Sequence, residues 1–239
     1  MKKRSIFKKL LIILVTLLVL GGSSFFLYFS AYYKAQTEIT EKAAYAYQEE
    51  KNYIALMPAS YETAIVFYPG AKVESRAYVS LFDQLAQKGI LCIILKPAFH
   101  FALFDADAAD KVRNDFSDVK NWYIGGHSLG GVCASLCAGK NKGAYKGLIL
   151  LASYSSVSLK DSGLRVLEIY GSNDEVMNRE KHDEHLKDLP SDYETLVIEG
   201  GNHAQFADYG FQKGDGKASI TSQRQKQLCA EAILNFISR

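Results

Sequence analysis

The 239 residues carry a formal net charge of +2, with 48% hydrophobic and 23% charged residues, enough apolar material for the core of a single α/β domain. Five positive charges, Lys2, Lys3, Arg4, Lys8 and Lys9, fall at the start, which leaves the rest of the chain at about −3. A mildly acidic body excludes nucleic acid as the expected partner, because phosphate binding needs a basic face on the folded part.

Residues 1–9 read as a basic cytoplasmic tip. Residues 10–33 follow without a single charge, and as a helix rising ~1.5 Å per residue they span the ~30 Å hydrocarbon layer. Basic residues stay on the cytoplasmic side, which directs everything after them to the extracytoplasmic side of a cell membrane. Phe25, Phe26, Tyr28, Phe29, Tyr32 and Tyr33 suit the far interface. The alternative is a cleaved signal peptide and a secreted product, since Gly21-Gly22-Ser23-Ser24 offers small residues for a peptidase.

Residues 34–52 read as a linker, a stalk or a helix lying against the domain, with Glu38 and Lys42 at i, i+4. The domain itself is expected over 53–239. Tyr53–Met57 and Thr63–Tyr68 read as a hairpin-like lead-in to a sheet. Helices are then expected over Arg76–Lys88, Ala106–Phe116, Leu129–Gly139, Arg179–Leu189 and Thr221–Ser238. Strands are expected over Ile90–Leu95, Asn121–Ile124, Gly147–Ala152, Leu164–Tyr170 and Glu194–Glu199. Continuous apolar strands alternating with amphipathic helices indicate a mostly parallel sheet covered on both faces. Cys92, Cys133, Cys137 and Cys229 have no scaffold spacing and read as buried free thiols.

Between the strand at Asn121 and its helix stands Gly125-Gly126-His127-Ser128-Leu129-Gly130-Gly131. The pattern Gly-x-Ser-x-Gly sets a serine on a tight strand-to-helix turn, with Ser128 exposed above the sheet. A serine hydroxyl needs a histidine base and a carboxylate to orient that base. Asp174 follows one expected strand and His203 follows the next, in the chain order this turn requires. Asp174 alone also suits an Asx-turn, with Glu175 the rival acid, and His203 alone suits an ordinary loop. Of the other histidines, His127 lies inside the turn with its side chain directed away from Ser128. His100 falls too early in the order. His182 and His185 read as solvated on a charged helix face and lack a third ligand for a metal. For the oxyanion, Leu129 supplies one backbone N–H and the loop Tyr68-Pro69-Gly70-Ala71-Lys72 the other, with Ala71 first and Lys72 as alternative.

Those stretches, with Phe67-Tyr68-Pro69-Gly70-Ala71-Lys72-Val73, Tyr170-Gly171-Ser172-Asn173-Asp174 and Glu199-Gly200-Gly201-Asn202-His203-Ala204-Gln205-Phe206, resemble the α/β-hydrolases, and the small bacterial branch related to dienelactone hydrolases in particular. The resemblance covers Tyr53 to the C-terminus. It implies the α/β-hydrolase fold, a triad of Ser128, Asp174 and His203, hydrolysis through an acyl-enzyme, and neither cofactor nor metal. Dienelactone hydrolases carry a cysteine where this chain carries Ser128, so their substrate is not carried over. Only Ser153–Gly163 separates the two strands between which relatives insert a lid, so no large lid is expected. The expected walls are Lys96–Phe101 and the loop Ala204–Gly216, whose Phe206, Tyr209 and Phe211 either touch substrate or pack the loop down. The expected function is carboxylic ester hydrolysis on a small-molecule or lipid-like substrate. The alternatives are acyl transfer to an envelope alcohol and a non-catalytic surface binding module.

Overall fold

The computed structural model describes residues 2–36 and 44–239. The chain divides into two units, Met1–Tyr32 and Tyr33–Arg239. The first is a helix, α1 (Lys2–Ser30), whose stretch Lys8–Ser30 is long and apolar enough to cross a bilayer.

The second unit is an eight-stranded sheet with helices on both faces. Its strands are β1 (Tyr45–Glu49), β2 (Tyr53–Pro58), β3 (Thr63–Tyr68), β4 (Leu91–Leu95), β5 (Asn121–His127), β6 (Gly147–Leu151), β7 (Arg165–Gly171) and β8 (Tyr193–Ile198). They lie in the order β1-β2-β4-β3-β5-β6-β7-β8. From β4 to β8 every pairing is parallel, while β1 and β2 are added antiparallel at one edge. β4 and β6 are buried at every position, which is why they read as unbroken apolar runs.

Alternate residues of each strand feed two cores. On one face Ile65, Phe67, Ile94 and Ile169 pack against α2 (Val79–Ala86) and α6 (Ser222–Ile237). On the other, Val66, Leu91, Ile124 and Leu148 pack against α3 (Ala108–Arg113) and α4 (Leu129–Lys140). Phe82 of α2 is 1% exposed and lies 4.8 Å from the Phe67 ring, so its truncation to alanine costs about 3–5 kcal/mol. The remaining helix, α5 (Arg179–His185), follows β7. The segment between β6 and β7 contains no helix.

Several local expectations change. Tyr45–Glu49, inside the stretch read as linker, is a strand of the sheet. Its Tyr45 and Tyr47 face inward in a period-two pattern, and Tyr45 Oη donates to Asp83 Oδ1 at 2.8 Å. The lead-in hairpin is therefore β1–β2; β2 pairs with β4 rather than with β3. Tyr33–Gln36 is stitched to the domain and does not stand off as a stalk. Tyr33 N–H donates to Lys72 O at 2.7 Å, Glu74 N–H to Tyr33 O at 3.0 Å, and Gln36 N–H to Asp208 O at 2.8 Å. The Glu38 and Lys42 pair lies outside the described residues. The helix read over Ala106–Phe116 is shortened to α3, with a 3₁₀ turn at Ala102–Asp105 before it. All four cysteines are buried and unpaired.

Candidate active site

β5 presents Ser128 at its carboxyl end, where α4 begins. Ser128 has φ 52° and ψ −125°, a backbone that costs a non-glycine residue on the order of 1–3 kcal/mol unless its surroundings enforce it. They do: Ser128 N–H donates to Leu151 O at 2.9 Å, and its carbonyl accepts from Gly131 N–H at 3.0 Å and from Ser153 Oγ at 2.7 Å. A side chain at position 126 would run into the Gly130 backbone, and one at 130 into the Tyr68 and Pro69 carbonyls. Glycine at these two positions lets strand, helix and the loop after β3 close on one another.

Asp174 and His203 follow β7 and β8 respectively. The structure brings them together: Asp174 Oδ2 lies 2.9 Å from His203 Nδ1, with both residues buried. The other oxygen, Oδ1, accepts from Val176 N–H and Met177 N–H, each at 2.9 Å. Burial pushes the Asp174 carboxyl up, but the His203 hydrogen bond, its charge and these two amides outweigh it and hold the group below its ordinary value. An ionised Asp174 that accepts at His203 Nδ1 leaves Nε2 as the ring nitrogen with a free lone pair. That atom is buried and has no hydrogen-bond partner. No hydrogen bond joins it to Ser128 in this state; such bonds often tighten only once substrate is bound. Glu175, the rival acid, points into solvent.

The Gly130 contact sets the loop after β3 against the first turn of α4. Leu129 is the first residue of α4, so its N–H has no intrahelical acceptor. Ala71 N–H likewise has no acceptor among the described residues. Of the two candidates the sequence offers, Lys72 N–H is already engaged, donating to His100 O at 2.7 Å.

Several residues that hold this arrangement carry no sequence signal of their own. Asp215 accepts from His203 N–H at 3.2 Å and from Ala204 N–H at 2.8 Å, yet Gly214-Asp215-Gly216 reads as plain turn chemistry. Gln225 of α6 exchanges two hydrogen bonds with the Asn202 backbone, at 3.0 and 2.8 Å. His127 reaches Tyr78 Oη at 2.8 Å and His203 O at 3.1 Å.

Two further expectations are corrected or resolved. His182 is 2% exposed, not solvated, and faces the buried Glu168 at 3.4 Å, because α5 turns that side of its charged surface inward onto β7. Phe206 and Tyr209 are buried and pack the loop down, whereas Phe211 is exposed. A cavity of about 330 Å³ beside the His203 turn is lined by Asn202, Gln205, Phe211 and Lys217 but not by Ser128, so this space adjoins the candidate site without containing it. Among the described residues no cluster of His, Cys, Asp or Glu is arranged to hold a metal ion.

In a comparison with curated proteins, no sequence matches the chain. Among solved structures it is similar to a predicted CIB-like hydrolase from Thermoplasma acidophilum, with TM-score 0.61, 17% identity, and 80% of this chain and 99% of that one covered. It is similar to Est1E from Butyrivibrio proteoclasticus with ferulic acid bound, at TM-score 0.61 and 15% identity over 81% and 100% of the two chains. A third is dienelactone hydrolase from Anabaena variabilis, at TM-score 0.57 and 15% identity over 77% and 90%. At these identities the likeness speaks for the fold. The family model described as the alpha/beta hydrolase family matches residues 64–227, more than half of the chain. With the parallel sheet, the serine at the end of β5 and the acid and histidine after β7 and β8, the chain belongs to the alpha/beta hydrolase family.

Proposed function

We propose that this hydrolase cleaves carboxylic esters through a serine acyl-enzyme. Ser128 attacks the ester carbonyl, and His203 Nε2 takes its proton and returns it to the leaving alcohol. Asp174 holds the histidine tautomer and balances the imidazolium, while Leu129 and Ala71 N–H groups receive the oxyanion. Water then repeats the sequence on the acyl-enzyme. The observation that carries this reading is the Asp174–His203 pair at 2.9 Å with Nε2 buried and unpartnered. A buried ring nitrogen left without a partner costs about 1–3 kcal/mol, a cost that makes sense where the Ser128 proton is to be received. Ferulic acid on Est1E and the lactone in the name of dienelactone hydrolase also put carboxyl chemistry on this fold. The test is turnover of a short-chain aryl ester: Ser128→Ala should lower kcat about 10⁴-fold or more with the fold intact, and parent-like turnover by that variant would refute the mechanism.

The same reading gives Lys8–Ser30 as a membrane anchor, with the hydrolase unit on the extracytoplasmic side. The length and composition of that helix and the basic residues before it support this. Sizing the protein recovered from its native membrane tests it, since loss of about two dozen residues would mean a cleaved signal instead.

A further inference from the structure

We infer that Tyr78 and His127 form a buried strut that positions both sides of the reaction centre at once, the oxyanion loop and the turn carrying His203. The inference rests on the serine hydrolase reading above and adds two positioning residues to it.

The strut is a continuous chain of hydrogen bonds. Gly70 N–H donates to Tyr78 Oη at 2.9 Å, Tyr78 Oη meets His127 Nδ1 at 2.8 Å, and His127 Nε2 meets the His203 carbonyl at 3.1 Å. Its polarity follows from its ends. A carbonyl only accepts, so His127 Nε2 carries the proton. A neutral ring then offers Nδ1 as an acceptor, the Tyr78 hydroxyl donates to it, and the phenol oxygen is free to accept from Gly70. Tyr78 is 0% and His127 1% exposed, so no water substitutes for a missing partner. Burial, and then the neighbouring His203, hold His127 far below the ordinary histidine pKa, which keeps the ring in the neutral form this pattern requires.

The connections are what give the strut a role beyond packing. Gly70 directly precedes Ala71, the proposed oxyanion donor. His127 directly precedes Ser128, and its ring lies 4.6 Å from the His203 ring. Nucleophile, oxyanion donor and base come from residues far apart in the chain, and one line of hydrogen bonds runs from the backbone N–H next to the oxyanion donor, through the ring of the residue next to the nucleophile, to the backbone carbonyl of the base. Errors of about 1 Å in such placements cost on the order of a hundredfold in rate. Tyr78 also packs its ring 5.3 Å from Phe67, and phenylalanine would keep that contact while removing the hydroxyl.

The experiment compares the detergent-solubilised full chain with Tyr78→Phe and His127→Asn, each checked for folding by circular dichroism and thermal midpoint. Measured are kcat and KM on an aryl ester and the affinity for an alkyl boronic acid, which binds as a tetrahedral analogue. The expected result is a kcat loss of about 10- to 100-fold with KM little changed and a matching loss of boronate affinity. A residue that only packs would lower the midpoint and leave kcat and boronate affinity at parent levels; that result, in whichever variant folds, overturns the inference. Should neither fold, the pair is structural and the inference is likewise overturned. A parent chain that neither turns over ester nor reacts with a fluorophosphonate would instead sink the hydrolase reading, so the two failures are distinguishable.

Discussion

Around His203 nearly every polar backbone group is held. Asp215 takes the His203 and Ala204 amides, Gln225 grips Asn202 from α6, and Asn202 Oδ1 takes the Gln205 amide at 3.1 Å. Around Ser128 the backbone is held too, by Leu151 O, Gly131 N–H and Ser153 Oγ, but in a strained conformation; among the described residues the Leu129 and Ala71 amides have no acceptor, and His203 Nε2 makes no hydrogen bond with the Ser128 hydroxyl. On the proposed mechanism the turn carrying the base is fixed by satisfied groups, and the place where charge would develop is lined by amides without acceptors among the described residues. This division is what electrostatic preorganisation requires, since donors already committed elsewhere would have to be freed during the reaction.

The comparison is tested most severely at the acid. Asp174→Asn should lower kcat on the order of 10⁴-fold while leaving the fold intact, because the amide favours the wrong histidine tautomer; steady-state kinetics on an aryl ester with a circular dichroism control would measure it. Asp215→Ala comes next. It unpairs two amides at the His203 turn, which should cost about 1–3 kcal/mol of stability and about 10- to 100-fold in kcat. Parent kcat in this variant would mean that the satisfied side does not serve the base.

On the strained side, Ser128→Gly should abolish turnover yet raise the thermal midpoint, with up to about 1 kcal/mol gained as the positive φ is relieved. A lowered midpoint would show that the turn is not strained. The smallest effect concerns His182. Burial lowers its pKa, but the hydrogen bonds and charges of Glu168 and Asp183 outweigh burial, and the net shift is upward. Its contribution to stability is therefore full below the unfolded value of about 6.5 and declines as pH rises through the folded one. The difference in thermal midpoint between parent and His182→Gln should accordingly shrink on going from mildly acidic to alkaline buffer.

The fold was legible in the sequence wherever burial imposes a pattern. Ile90–Leu95 and Gly147–Ala152 lie within the sheet and face apolar layers on both sides, so their composition leaves little choice. Edge strands escape such reading: β1 is half exposed, and its alternation of two tyrosines hides in an alanine-rich run. The pairing of β2 with β4 was hidden too, because strand order depends on what packs across the faces and not on spacing along the chain. In the candidate site, Ser128, Asp174 and His203 announce themselves by turn chemistry at strand ends. Asp215, Gln225 and Tyr78 do not, since each acts through backbone groups of distant loops and local sequence carries no trace of that contact. His182 misled for a related reason: a charged helix reads as solvated even when one of its charges is turned inward onto a buried glutamate.

The most direct test of the central claim, that Ser128 is the nucleophile, is to treat the full chain with a fluorophosphonate and map the adduct by mass spectrometry. The expected result is one adduct per chain on the peptide containing Ser128, absent from Ser128→Ala and strongly slowed in His203→Ala. An unmodified chain, or an adduct on any other residue, would contradict the account.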